Sequence, residues 1–363
     1  MKILVFPKDP NPYQSLLYKS LGELDDNIRI RYLTIPKKLE ILNLFILPIL
    51  LVAYRIRGYS IFHIHWFYTF RLPRFDNEIS KIIMEYYLIS FIYLTKILGY
   101  KIIWTVHETI SHTAITDNDI CRSRSISRKL SRIASAKIIH SNSVIKEMLD
   151  NGLDIDNCKL IPHGSYMGVY PDLITPDEAR EKLKVGPNEF VILFFGNIRE
   201  YKGVDTLLEA FSKVKKSNAR LIIAGRCKSE SMIVMIHRYM KTNNIDFYNN
   251  HISDEEVATF FKASNIVCLP FKEITTSGSV ILSFTFGKPI IAPRLGALND
   301  VPTNIGFLYD HPSTSDLLAC INKAISCKRL SSMSISASEY AESLSWDKIA
   351  YRTLRVYENS ANL

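Results

Sequence analysis

The stretch Phe194-Phe195-Gly196-Asn197-Ile198-Arg199-Glu200-Tyr201-Lys202-Gly203 constrains this chain more than any other. A β-branched and aromatic run from Val191 ends at one glycine, and a second glycine opens the helical pattern that starts at Val204. A strand that stops at glycine and feeds a helix presents unpaired backbone N–H groups and the positive end of a helix dipole, which suits phosphate. Arg199 and Lys202 add two cations at that mouth, so a diphosphate is the expected guest. Alone, the decamer also fits an ordinary strand-to-helix turn with surface charges.

The rest of this half repeats the arrangement. Arg220 to Ala224 closes on Gly225 and Arg226, Ala263 to Pro270 is a third buried-strand pattern, and Gly287-Lys288-Pro289 leads into a fourth. Between the last two, Thr275-Thr276-Ser277-Gly278-Ser279 opens a helix. In this order and spacing the segments resemble the nucleotide-sugar-binding half of the GT-B glycosyltransferases, the family 4 group in particular, over about residues 187 to 310. The resemblance implies an α/β protein of two Rossmann-like parallel-sheet domains facing across a cleft.

The N-terminal half agrees with that class by its own pattern. Apolar strand and helix runs alternate from Lys2 onward, as parallel sheets covered by helices require. Strand ends here carry His65, His107 with Glu108, and His140, and ligands of parallel sheets lie beyond carboxyl ends. Prolines and charges are dense from Pro171 to Asn188, which sets the expected domains at 1–175 for the acceptor and 188–343 for the nucleotide sugar. By resemblance, the terminal helix at 344–363 returns to the first domain.

The same resemblance assigns roles. Lys202 matches the lysine that neutralises the donor diphosphate, within the Gly196 to Gly203 turn. The family's arginine directly follows the first glycine; here that slot is Asn197, and Arg199 stands two residues on. Thr276, Ser277, Gly278 and Ser279 are read as a second clamp on the diphosphate through N–H groups and the dipole; an N-cap is the plainer reading. The family's two glutamates, separated by seven residues, align with Ile274 and Leu282, and no acid occurs from Ile274 to Gly287. Tyr248 lies where the family holds the nucleoside base. For inversion a base must deprotonate the acceptor hydroxyl, and Glu108 and His107 are the leading candidates, with a structural histidine as the alternative for His107. His65, His163 and Arg226 are further cleft candidates; a solvated loop arginine fits Arg226 as well.

Charge and composition bound the partners. The net charge is +9 with a pI near 9.1. From Arg31 to Phe75 there are seven Lys/Arg against one acid, Glu40. That window holds an apolar segment at 41–57, too short for the roughly 20 residues of a bilayer span. It suits a monotopic stretch in the membrane interface or a core helix. A second basic tract, Arg122 to Lys137, reads as a solvated helix face and has no aromatic residues for base stacking, so no nucleic-acid partner is expected. Six scattered cysteines show no CxxC, which fits reduced thiols. With no signal peptide evident and no metal-ligand spacing, the expectation is a cytoplasmic protein, peripheral on the inner membrane face, without cofactor or essential metal.

The expected function is a hexosyltransferase. It would move one sugar from a UDP- or GDP-linked donor to a polyprenyl-diphosphate-linked saccharide during bacterial surface polysaccharide synthesis. The alternatives are a soluble transferase acting on a small acceptor, and a catalytically inactive nucleotide-sugar-binding scaffold subunit.

Overall fold

The computed structural model describes residues 1–9, 11–33, 42–66, 77–111, 114, 116–215, 218–310 and 313–361. The chain divides into two compact units, residues 1–163 with 346–363, and residues 164–345.

The first unit alternates β1 (Lys2–Phe6), α1 (Pro12–Leu24), β2 (Arg29–Tyr32), α2 (Leu42–Ile56), β3 (Ile61–Ile64), α3 (Glu78–Ile97), β4 (Lys101–Val106), α4 (Asp117–Ile133), β5 (Ala136–Ile139), α5 (Ser143–Asp150) and β6 (Cys158–Leu160). Its strands run parallel in the order β2-β1-β3-β4-β5-β6. Strand periodicity sends alternate residues to opposite faces. Leu4, Phe62, Ile102 and Trp104 pack under α2, α3 and α4, whereas Ile3, Val5, Ile61 and Ile103 meet Tyr13 and Leu17 of α1. A last helix of the chain, Trp346–Ala361, joins this second layer through Trp346, Ile349 and Tyr357. Burial on both faces explains why these strands read as continuous apolar runs.

The second unit runs α6 (Pro176–Lys182), β7 (Phe190–Phe195), α7 (Val204–Ser212), β8 (Ala219–Ala224), α8 (Glu230–Met240), β9 (Ile245–Tyr248), α9 (Asp254–Ala263), β10 (Ile266–Cys268), α10 (Gly278–Thr285), β11 (Ile290–Pro293), β12 (Gly306–Tyr309), α11 (Thr314–Ile325) and α12 (Leu330–Ser343); the Trp346–Ala361 helix is α13. Its parallel sheet has the order β12-β11-β10-β7-β8-β9. Val204, Leu207 and Phe211 of α7, with Ile236 of α8 and Ile321 of α11, cover one face of it.

The apolar segment expected at 41–57 is α2, described from Leu42; Ile41 lies outside the described residues, as do Lys37, Lys38, Arg71 and Arg74. It is both core and surface. Leu47 and Leu51 are 1% and 0% exposed, while Phe45, Ile49 and Ile56 are 68%, 67% and 81% exposed. Pro48 sits inside this helix and supplies no N–H to the carbonyl of Leu44. The Tyr87 hydroxyl of α3 donates to that carbonyl at 2.7 Å and replaces the missing bond. α3 exposes its own apolar side chains, Ile79, Tyr86 and Ile97 among them. Among the described residues no helix is long and apolar enough to cross a membrane.

The second basic tract is not a free solvated face. Arg122 pairs with Glu78 and Asp119, Arg128 donates to the Asn151 carbonyl, and Lys137, only 2% exposed, reaches Asp154 at 3.0 Å. Those carbonyl and acidic partners come from α3, the start of α4 and the loop after α5, so the cations brace the unit internally.

Candidate active site

In the second unit the strand order reverses between β7 and β10, the place where an open α/β sheet leaves room for a ligand beyond its carboxyl ends. The loops after these two strands lie backbone against backbone. Gly203 has φ of 70°, and a Cβ there would stand 1.9 Å from the Pro270 carbonyl oxygen, so only glycine fits. The Lys272 backbone N–H donates to the Tyr201 carbonyl at 2.7 Å, and its ammonium meets Asp205 at 2.6 Å. The loop after β8 joins in: the Ile198 N–H donates to the Arg226 carbonyl at 2.9 Å.

These loops converge on the space above Gly196. The point where a Cβ of Gly196 would sit is 3.2 Å from Lys202 Nζ and 3.5 Å from Ser279 Oγ. Lys202 is half-buried, and among the described residues no carboxylate pairs with it. Burial, with a smaller push from the Arg199 guanidinium, lowers its ammonium to about 8. α10 starts at Gly278 next to this point, and the side chain of Ser277 makes no capping bond. The Tyr166 hydroxyl lies 2.6 Å from where a Cβ of Gly278 would be, so glycine leaves room for a buried phenol at the helix start. Two cations, a hydroxyl and a helix N-terminus of this kind suit an anion of two or more charges.

In the first unit the carboxyl ends of the strands carry a cluster of rings. His65 follows β3, His107 follows β4, His140 follows β5, and His163 lies beyond β6. Tyr13 of α1 is the hub: its ring centroid is 5.0 Å from those of His107 and His163, 5.4 Å from His140 and 5.3 Å from Trp346. A hydrogen-bonded chain runs beneath. His107 Nε2 meets His65 Nδ1 at 3.1 Å, and His65 Nε2 meets the Tyr18 hydroxyl at 2.7 Å. That hydroxyl and the Tyr357 hydroxyl each lie 2.7 Å from His63 Nδ1, whose other nitrogen is 2.8 Å from Thr105 Oγ1. Burial disfavours the imidazolium throughout: His63 drops to about 3, His140 to about 4, and His65 and His107 well below the usual range. These four rings are held in the neutral form at pH 7. Among the described residues no three His, Cys, Asp or Glu side chains are disposed to hold a metal ion.

The sequence-derived candidates separate accordingly. Gly196, Lys202 and Ser279 meet at one point and Gly203 packs against the Pro270 carbonyl, with Gly278 and Ser277 at the adjoining helix start and the exposed Arg199 near enough to Lys202 to shift it. Thr276 is half-buried just before that start. Arg226 is exposed and contributes its backbone, and Tyr248 is half-buried at the end of β9 with its ring edge on Phe260 at 5.0 Å. His107, stacked on Trp66 at 4.2 Å, and Glu108 are half-buried, whereas His65 is 2% exposed and lies under them. Tyr13, Tyr166 and His140 are the side chains that strand-end reasoning underrated. His140 stands at the end of β5, where the sequence places it, but the sequence attaches no role to it there.

Residues 176–342 match the family described as glycosyl transferases group 1. The GDP-mannose:glycolipid 4-beta-D-mannosyltransferase of Xanthomonas campestris pv. campestris is 22% identical over 316 residues, 85% of this chain and 78% of that protein. Among solved structures, the sucrose-phosphate synthase of Thermosynechococcus elongatus superposes with a TM-score of 0.77 at 16% identity, over 99% of this chain and 98% of that one. Anabaena Alr3699/HepE in complex with UDP-glucose does so with a TM-score of 0.73 at 16% identity over the full length of both chains. The shared fold is GT-B.

Proposed function

We propose, from the match of residues 176–342 to the group 1 glycosyltransferases and from the GT-B fold, that this chain moves one hexose from a UDP- or GDP-linked sugar to a lipid-linked saccharide at the inner face of a bacterial membrane. The observation that carries the reading is the convergence of Lys202 and Ser279 over Gly196, beside the exposed Arg199 and the start of α10. Breaking the anomeric bond leaves charge on the diphosphate, and preorganised cations and N–H groups stabilise charge that develops in the transition state. With two cations at that place no metal ion is required, and activity in EDTA is expected to be unchanged.

The acceptor hydroxyl needs a base. His107 suits that task poorly, because burial disfavours its protonated form so strongly. Glu108 brings a carboxylate to the same strand end and is assigned the proton; His107 orients the hydroxyl. Release of UDP or GDP from UDP-glucose or GDP-mannose, in the presence of a polyprenyl-diphosphate-linked saccharide, tests the reading. Glu108→Gln is expected to slow release by at least about 100-fold while the nucleoside diphosphate still stabilises the protein. Full activity of Glu108→Gln rejects it as the base. A wild-type protein that binds the diphosphate but never releases sugar points instead to a scaffold, the reading that the missing glutamate pair favours.

The lipid acceptor draws support from the glycolipid named for the Xanthomonas relative and from the exposed apolar side chains of α2. The exposed Arg57 follows that face just past the helix end, which suits anionic lipid headgroups. Replacing Phe45, Ile49 and Ile56 together by serine is expected to release the protein from phosphatidylglycerol vesicles in a flotation assay with its melting temperature unchanged. Leu51→Ala, by contrast, empties core volume and costs about 2–5 kcal/mol of stability. Undiminished flotation of the triple variant rejects the membrane contact.

A further inference from the structure

His140 stands apart from the other imidazoles. Its Nδ1 lies 2.8 Å from the Ile161 carbonyl oxygen, and a carbonyl only accepts, so Nδ1 carries the proton. Nε2 is therefore a bare acceptor. The residue is 7% exposed, and Nε2 has no hydrogen-bond partner among the described residues. An orphaned buried acceptor costs about 1–3 kcal/mol, which native folds rarely leave uncompensated. Its neighbours are rings: His140 faces the edge of Tyr13, and its centroid is 5.2 Å from that of His107 and 5.7 Å from that of His163.

We propose that His140 Nε2 is a saccharide-binding acceptor, which takes the hydrogen bond of a sugar hydroxyl placed at the carboxyl ends of β4 and β5 beside His107. This deepens the glycosyltransferase reading and rests on it. The ligand chemistry follows from the atoms. A bare imidazole nitrogen asks for an O–H donor, the aromatic edges and faces around it suit the apolar C–H face of a pyranose, and the absence of charge on the ring disfavours an anion. Burial keeps the ring neutral, so it accepts a hydrogen bond without removing the proton, and the bond-making step stays with the base. His140 binds and orients. The hydroxyl can belong to the donor hexose or to the acceptor saccharide, and the two sources are separable.

Two amide replacements dissect the ring. His140→Asn keeps an N–H at the position of Nδ1 for the Ile161 carbonyl and removes the Nε2 acceptor. His140→Gln loses the Ile161 bond and returns an acceptor near Nε2. The binding gain of UDP-glucose over UDP, and of GDP-mannose over GDP, is measured by calorimetry on wild type and both variants. Saturation-transfer NMR with methyl α-D-mannopyranoside and methyl β-D-glucopyranoside, in the presence of the nucleoside diphosphate, forms the second arm. For the arm that holds the true source, His140→Asn is expected to lose at least about 10-fold in affinity and His140→Gln to recover part of it. Affinity for the free nucleoside diphosphate stays unchanged in both. Loss in the first arm assigns the donor hexose, and loss in the second assigns the acceptor saccharide. A folded His140→Asn protein equal to wild type in both arms overturns the proposal, as does a wild type in which neither arm registers a sugar. Failure of UDP and GDP to bind wild type at all counts against the glycosyltransferase reading, and the methyl glycoside arm still decides the role of His140.

Discussion

Lys202→Ala is expected to weaken binding of the nucleoside diphosphate by about 10- to 100-fold, the worth of one charge-assisted hydrogen bond. The sharper signature is in pH. In the free protein burial holds the Lys202 ammonium near 8, so a growing share of molecules is neutral there above that pH. A bound diphosphate favours the charged form and raises its pKa, so binding takes up a proton. Affinity is then highest below about pH 8 and falls by up to tenfold per pH unit above it. Between pH 7 and pH 9.5 the loss reaches about 30-fold. Lys202→Arg keeps its charge through that range and removes the slope. Calorimetric titrations with UDP and GDP at both pH values check this, and a wild-type affinity that does not move with pH removes Lys202 from the phosphate site. This lysine carries the more weight because the paired glutamates are missing: Ile274 and Leu282 occupy their places, Leu282 buried and Glu273 exposed. Donor affinity then rests more heavily on the diphosphate than on the sugar.

The two parallel sheets were legible because their strands are buried on both faces. No polar–apolar alternation is needed to see a strand in Leu221-Ile222-Ile223-Ala224; a short apolar run between arginine and glycine suffices. The turn from Gly196 to Gly203 was legible too, since its glycines serve local backbone geometry. What local sequence does not carry is the partner. His63 sits mid-strand with nothing beside it to mark it, and one of its hydroxyl partners, Tyr357, is 294 residues away. The tract from Arg122 to Lys137 reads as solvated only until Glu78, Asn151 and Asp154 are brought to it. α2 is apolar all round, and a helix of that kind fits a core or a membrane equally well until its neighbours are known. Here one face is buried in the core and the other is exposed.

Acidification from pH 7 to pH 5 is expected to unfold the first unit. The sign follows from the depressed imidazoles: the fold holds them neutral, and the unfolded chain protonates them with a pKa near 6.5. Their contribution is fully present above about pH 6.5 and is lost as pH falls below it. His63, His65 and His140 are all buried, with His63 at about 3 and His140 at about 4. His63 and His140 each lose about 2 kcal/mol of stability by pH 5, together about 4 kcal/mol, a large part of the whole stability of many domains, and His65 acts in the same direction. No compensation is at hand, because the partners of His63 and His65 are hydroxyls and imidazoles rather than carboxylates that would welcome a proton on the ring. All three tryptophans, Trp66, Trp104 and Trp346, belong to this unit, so tryptophan fluorescence reports its melting alone. The fluorescence midpoint should fall steeply across this window, with an uptake of about four protons on unfolding at pH 5, one for each depressed imidazole. His63→Phe, by removing one buried imidazole, should lower that uptake by about one. A midpoint that stays level from pH 7 to pH 5 would mean that the rings gain partners for their protons within the fold, and the neutral cluster would have to be abandoned.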